Sequence, residues 1–214
     1  MTGKLPKLSI TLFILSAACY LGLLSFIHYP FSSVIKPIPI FLLLIISLQS
    51  SARPQIKILL IFALVLSLIG DIILTLPGDK ALMGGIISFM LAHGAYITLY
   101  LKDAQFQTKR LFYFLPVFLF IILSYSYMLP YFGEMAIPVT IYLGFLTLMV
   151  FCSFQVLQHP LFIISGACLF LLSDFIFAMT QFVFQENSNI ANILVIFSYY
   201  LAQSLLVAGI IQRK

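Results

Sequence analysis

Residues 57–76 read KILLIFALVLSLIGDIILTL. Apart from Lys57 at the start and Asp71 near the end, the stretch is apolar almost throughout. About 20 such residues are what a helix needs to cross the hydrocarbon core of a bilayer. A carboxylate inside that span costs on the order of 3 kcal/mol on insertion scales, so it must face a protein interior or a cavity. One stretch therefore sets both the class of the protein and the first candidate for its chemistry.

Comparable runs occur near 8–27, 34–50, 82–101, 111–128, 136–156, 161–184 and 190–211. Between them lie turn-forming breaks such as His28-Tyr29-Pro30, Ser51-Ala52-Arg53-Pro54, Gln158-His159-Pro160 and Glu186-Asn187-Ser188-Asn189. The expected architecture is all-α, a single domain over 1–214 made of eight transmembrane helices joined by short loops. Composition agrees: 63% of residues are hydrophobic and 8% charged, against roughly a quarter charged in a soluble domain. With 11 basic and 6 acidic side chains, the chain cannot cover a water-facing surface with charge. The net charge of +5 is scattered, not gathered into the basic patch that nucleic acid requires. Cys19, Cys152 and Cys168 fall inside apolar runs, unlike a secreted disulfide framework.

Lys4 and Lys7 before the first run imitate a signal peptide, and Ser16-Ala17-Ala18-Cys19 resembles a lipoprotein cleavage site. The run continues to Ile27, so a retained first helix is expected. With the N-terminus inside, one side of the membrane holds Lys4, Lys7, Arg53, Lys57, Lys102, Lys109, Arg110, Arg213 and Lys214. The other holds Lys36 and Lys80 with Asp79, Glu134 and Glu186. The positive-inside rule then places both termini in the cytoplasm, which needs an even number of spans. Faint internal matches link the two halves. Gly70-Asp71 aligns with Ser173-Asp174, and Phe89-Met90-Leu91-Ala92-His93 with Tyr199-Tyr200-Leu201-Ala202-Gln203. They suggest a parallel repeat of two four-helix units.

Asp71 in the third span and Asp174 in the seventh lie about 21 and 20 Å along helices that run the same way, so their carboxylates reach one depth. Around them, helical spacing lines up Ser67 and Thr75; Phe170 and Ser173; Phe89, His93 and Tyr96; and Tyr199 and Gln203. Lys36 begins the second span from the outer side. These side chains are expected to enclose a polar, Tyr-lined pocket in the middle and outer half of the bilayer. The acids also admit a structural role, one paired with Lys36 and the other with hydroxyls. Lys36 also reads as a snorkelling interface residue, and His93 as a hydrogen-bonded packing residue. Of the three histidines only His93 sits at that depth, so no metal site is expected.

In order along the chain, Lys36-Pro37, Gly70-Asp71, Phe89-x-x-Ala92-His93-x-x-Tyr96, Gly166-Ala167-x-x-Phe170-x-x-Ser173-Asp174 and Tyr199-x-x-Ala202-Gln203 together resemble the YhhN-like lysoplasmalogenases, a family of eight-helix membrane hydrolases. The resemblance implies cleavage of the vinyl ether bond of a lysoplasmalogen to a fatty aldehyde and glycerophosphoethanolamine or glycerophosphocholine. Asp71 and Asp174 would be catalytic. Lys36, His93, Tyr96, Ser173, Tyr199 and Gln203 would bind substrate. No cofactor is implied, and the partners are the lysophospholipid and the bilayer. A proton-coupled transporter of a small solute or lipid is the alternative for the same buried acids. Head-group preference, leaflet of access and oligomeric state stay open, and a bacterial inner membrane is the expected location.

Overall fold

Proline sets several of the helix starts, because its fixed φ suits the first turn and its missing N–H costs nothing there. The computed structural model describes residues 7–78, 80–185 and 188–213; Lys4, Asp79, Glu186 and Lys214, which entered the charge distribution above, lie outside them. The helices are α1 (Lys7–Leu23), α2 (Phe31–Ile35), α3 (Ile38–Gln49), α4 (Pro54–Ile73), α5 (Lys80–Leu101), α6 (Thr108–Met128), α7 (Ala136–Gln155), α8 (Pro160–Ala178) and α9 (Asn189–Ile211). A wider π-helical stretch, Met179–Phe184, extends α8. Among the described residues there are no β-strands, only an isolated bridge between Ala104 and Val156.

Seven of the described stretches are long and apolar enough to cross a membrane, counting Phe31–Gln49 as one, and α1 is a shorter eighth. This is a polytopic, multi-pass membrane protein. Four boundaries depart from expectation. The first span, expected to reach Ile27, ends at Leu23, and Leu24 beyond it lines a cavity. The second span, expected as one helix over 34–50, is interrupted at Lys36-Pro37. Pro37 and Pro39 both lack the N–H a continuous helix would use. The third span is shifted toward its Pro54 start and stops at Ile73, not Leu76. The seventh changes to π geometry after Ala178 instead of staying α to Phe184.

The two halves matched in the sequence comprise α1–α5 and α6–α9. Within each half the last two helices pack most closely, α4 on α5 and α8 on α9. Across the halves, α5 packs on α7 and α3 on α9. Exchanging the halves maps each of these contacts onto its counterpart. Small residues allow the close approaches, as is usual where no aqueous hydrophobic effect drives helices together. A Cβ on Gly166 would stand 2.8 Å from Leu206 and 3.0 Å from the Ala202 carbonyl oxygen, and one on Gly70 would stand 2.7 Å from the Phe89 ring.

One end of the bundle holds Arg53, Lys102 and Arg213 outside the helices and Arg110 in the first turn of α6. Asp103 there accepts hydrogen bonds from both Arg53 and Arg213, and the Arg213 side chain is fully buried. Arg110 donates to the carbonyls of Phe154 (2.7 Å) and Val156 (2.6 Å), closing the end of α7. Burial pushes the Asp103 carboxyl up, but the two guanidinium partners outweigh it and hold it below the usual carboxylate range. A carboxyl lowered on folding contributes stability above its unfolded value and loses it as pH falls through the folded one.

Two outcomes are expected in thermal unfolding of the detergent-solubilised protein. Gly166→Leu should cost about 1–3 kcal/mol by overpacking and lower the midpoint by several degrees, whereas Gly144→Leu, where a Cβ meets nothing within 4 Å, should leave it unchanged. Asp103→Asn should lower the midpoint at pH 7 and flatten the loss of stability expected of the wild type below about pH 4.

Candidate active site at two buried carboxylates

Asp71 lies in the last turn of α4 and Asp174 one turn before the end of α8. Both helices start at the basic end, so both carboxylates come to the other half of the bundle. Both line one cavity of about 270 Å³, together with Lys36, Tyr142, Ser173 and Tyr199. The remaining walls are largely apolar and come from α1, α5, α7 and α9, a composition usual for small-molecule sites.

The partners of the two acids differ. Asp71, 1% exposed, has the Lys36 ammonium 3.3 Å from Oδ1 and accepts a 2.7 Å hydrogen bond from the Tyr199 hydroxyl on Oδ2. The interruption after α2 brings Lys36 here, and its carbonyl accepts from Tyr200 at 2.6 Å. Asp174 accepts from the Tyr142 hydroxyl. His93 Nε2 lies 3.0 Å from the same hydroxyl and 3.9 Å from Asp174 Oδ2. Each acid is thus met by the helix before it and by the last helix of the other half: Asp71 by the second span and α9, Asp174 by α7 and α5. The pairing obeys the same exchange of halves as the packing.

The floor of the cavity is aromatic. Phe89, Phe170 and Tyr199 meet edge-on, with centroids 5.5–6.2 Å apart. Below it lie three of the expected site residues. His93 is fully buried against Phe170, ring centroids 4.9 Å apart, and its Nδ1 has no hydrogen-bond partner among the described residues. Tyr96 donates to Gln203 Oε1 at 2.7 Å, and Gln203 Nε2 donates to Ser67 Oγ at 3.1 Å. The structure therefore brings Asp71, Asp174, Lys36, Ser173 and Tyr199 to the cavity and sets His93, Tyr96 and Gln203 beneath it. Ser173 lines the wall with its hydroxyl donated to the Val195 carbonyl at 2.9 Å.

Tyr142 is the site residue that sequence reasoning passed over. Its helix carries no charged residue within the membrane, so its tyrosine reads as belt or packing. The available signal is the spacing of Val139, Tyr142 and Leu146 on one helical face. Tyr20 of α1 lines the cavity as well. Among the described residues no three His, Cys, Asp or Glu side chains are grouped as metal ligands.

Removing one partner of a buried ion pair costs about 3–5 kcal/mol because the other charge is left uncompensated. Lys36→Met should accordingly destabilise the protein strongly in thermal unfolding, and adding Asp71→Asn should recover most of the loss. An additive double variant would show that the two groups are not coupled.

The family model that matches this chain is that of the YhhN family, over residues 31–210. The match covers the chain from α2 to the last turn of α9, including both acids and every partner named above except Tyr20. No curated protein and no solved structure matches. From the second span onward, then, the matched residues are those that build the cavity and its floor, and the chain belongs to the YhhN family, the lysoplasmalogenase-like family, which supports a membrane hydrolase-like function.

Proposed function

We propose that this protein is a lysoplasmalogenase: it adds water across the vinyl ether of a lysoplasmalogen and releases a fatty aldehyde and the glycerophospho-base. The observation that carries the reading is one intramembrane cavity lined by two carboxyl groups with unlike partners. Vinyl ether hydrolysis needs a proton donor for the β-carbon and an anion beside the oxocarbenium ion that results. Glycoside hydrolysis divides the same two tasks between two carboxyl groups.

The partners suggest the division of labour. Asp71, ion-paired with Lys36, is the standing carboxylate. Among the described residues Asp174 has no lysine or arginine within 4 Å, and it is the proton donor. Asp174 gives its proton to the β-carbon as the C=C electrons form the new C–H bond. The cation left on the α-carbon and ether oxygen is stabilised by Asp71. Water adds to the α-carbon while Asp71 accepts its proton, giving a hemiacetal. Its hydroxyl proton then passes to the glycerol oxygen as the C–O bond breaks, and the proton on Asp71 returns to Asp174. His93 positions Tyr142, which orients Asp174. Lys36, Ser173 and Tyr199 contact the substrate's polar part, and Tyr96 and Gln203 support the floor from below. The short loops suit a bacterial inner membrane. The exchange of halves also suits a proton-coupled transporter, which would leave its substrate intact and need a gradient.

The test is release of free aldehyde by the purified protein in detergent from a lysoplasmalogen, with its saturated ether analogue as control. Aldehyde should come from the vinyl ether alone. Asp71→Asn and Asp174→Asn should each lower turnover by several orders of magnitude in protein that still elutes as a folded species; near-normal turnover in either sinks the two-carboxyl mechanism. Tyr142→Phe should lower kcat about tenfold with little change in KM, general acid–base contributions being about 10²–10⁴-fold in all.

A further inference from the structure

A second cavity adjoins the first. It is narrow, about 60 Å³, lies beneath α6 between α7 and α8, and includes Ile121, Ser124, Leu143, Leu146 and Leu171. It shares Val139, Tyr142, Asp174 and Ala178 with the catalytic cavity, so the Asp174 carboxyl stands in the wall between the two. The two spaces differ in chemistry. The catalytic cavity presents Lys36, Asp71 and Thr75, whereas in the second Ser124, Tyr125, Tyr142 and Asp174 are the only polar side chains. It leads outward as well: Ile121, Tyr125 and Leu143 also line an open groove of about 470 Å³ between α6 and α7.

The helix over this cleft is the most loosely held. Only 17% of the α6 span is buried, against 28–56% for the other spanning stretches. Near the cleft it is held by the buried side chains of Ile121 and Met128, by a 2.9 Å hydrogen bond between Tyr125 and Thr140, and by the ring contacts Tyr125–Phe132 and Phe120–Phe175. Such a helix yields to an inserted chain at low cost.

We propose that the cleft beneath α6 is the binding site for the single hydrocarbon chain of the substrate, threaded from the lipid between α6 and α7. This rests on the hydrolase reading above. A lysophospholipid changes from polar to apolar at the bond to be broken, and here the polar cavity gives way to the apolar cleft at Asp174. The head group then lies beside Lys36, the chain runs under α6, and the β-carbon falls at the proton donor. A cleft this small takes one unbranched chain. Ser124, Leu143 and Leu146 set the chain-length preference.

The test uses a lysophosphatidylethanolamine analogue with a saturated ether chain carrying a diazirine near its end, photolysed on the wild-type protein in detergent. Adducts are expected on Ile121, Ser124, Leu143 or Leu146 and should be displaced by the unlabelled analogue. Adducts on Tyr20, Leu24 or Leu82, or spread over the lipid-facing surface, would overturn the proposal. In a second arm, Ser124→Phe should raise KM at least tenfold for a 16-carbon vinyl ether and hardly at all for a 4-carbon one; equal losses would also overturn it. Labelling of the cleft by a protein that releases no aldehyde would sink the hydrolase reading and leave the chain site standing.

Discussion

A carboxylate in the hydrocarbon core must be met by a cation or by hydrogen-bond donors, and the bilayer supplies neither. The Lys36–Asp71 pair answers that requirement at the centre of this protein. To make it, the second span breaks at Lys36-Pro37 and α9 presents Tyr199 to Asp71 and Tyr200 to the broken turn. Two consecutive spans and the last one are thereby tied together at one depth. The close packing of α8 on α9 through Gly166 then carries Asp174 to the same cavity.

Two similar halves do not make two similar sites. The exchange that maps α4 onto α8 and α5 onto α9 also maps Asp71 onto Asp174, yet the position facing Asp71 is a lysine and the position facing Asp174 is a tyrosine backed by a histidine. That difference gives two identical side chains unlike surroundings. It also gives the cavity a direction: a polar side under the broken span and an apolar side under α6. A molecule with a charged head and one hydrocarbon tail has the same polarity along its length.

The two ends of the bundle do different work. At the basic end Asp103 is locked between Arg53 and Arg213, and Arg110 closes α7, so loops from both halves are fastened by charge. At the other end the chain is less regular. α1 stops early, the second span is interrupted, and α8 relaxes into π geometry beside the cavity. Regular helix thus leads from the braced end toward the cavity, and the departures from it gather around the cavity end.

The membrane class, the number of apolar stretches and the equal depth of the two acids are legible in the sequence, because hydrophobic length and helical rise are local properties. Lys36 and Tyr199 are legible as candidates, since helical spacing and depth set them near the acids. Tyr142 is not, and neither is the place of His93, Tyr96 and Gln203 below the aromatic floor. In a bilayer the lipid-facing and protein-facing sides of a helix are equally apolar, so the pattern along α7 does not tell which way Tyr142 turns. The sequence by itself determined that two carboxylates would be buried at one level. Only the tertiary structure decided which neighbour each would meet, because that depends on how each helix is rotated against partners 32 to 128 residues away in sequence.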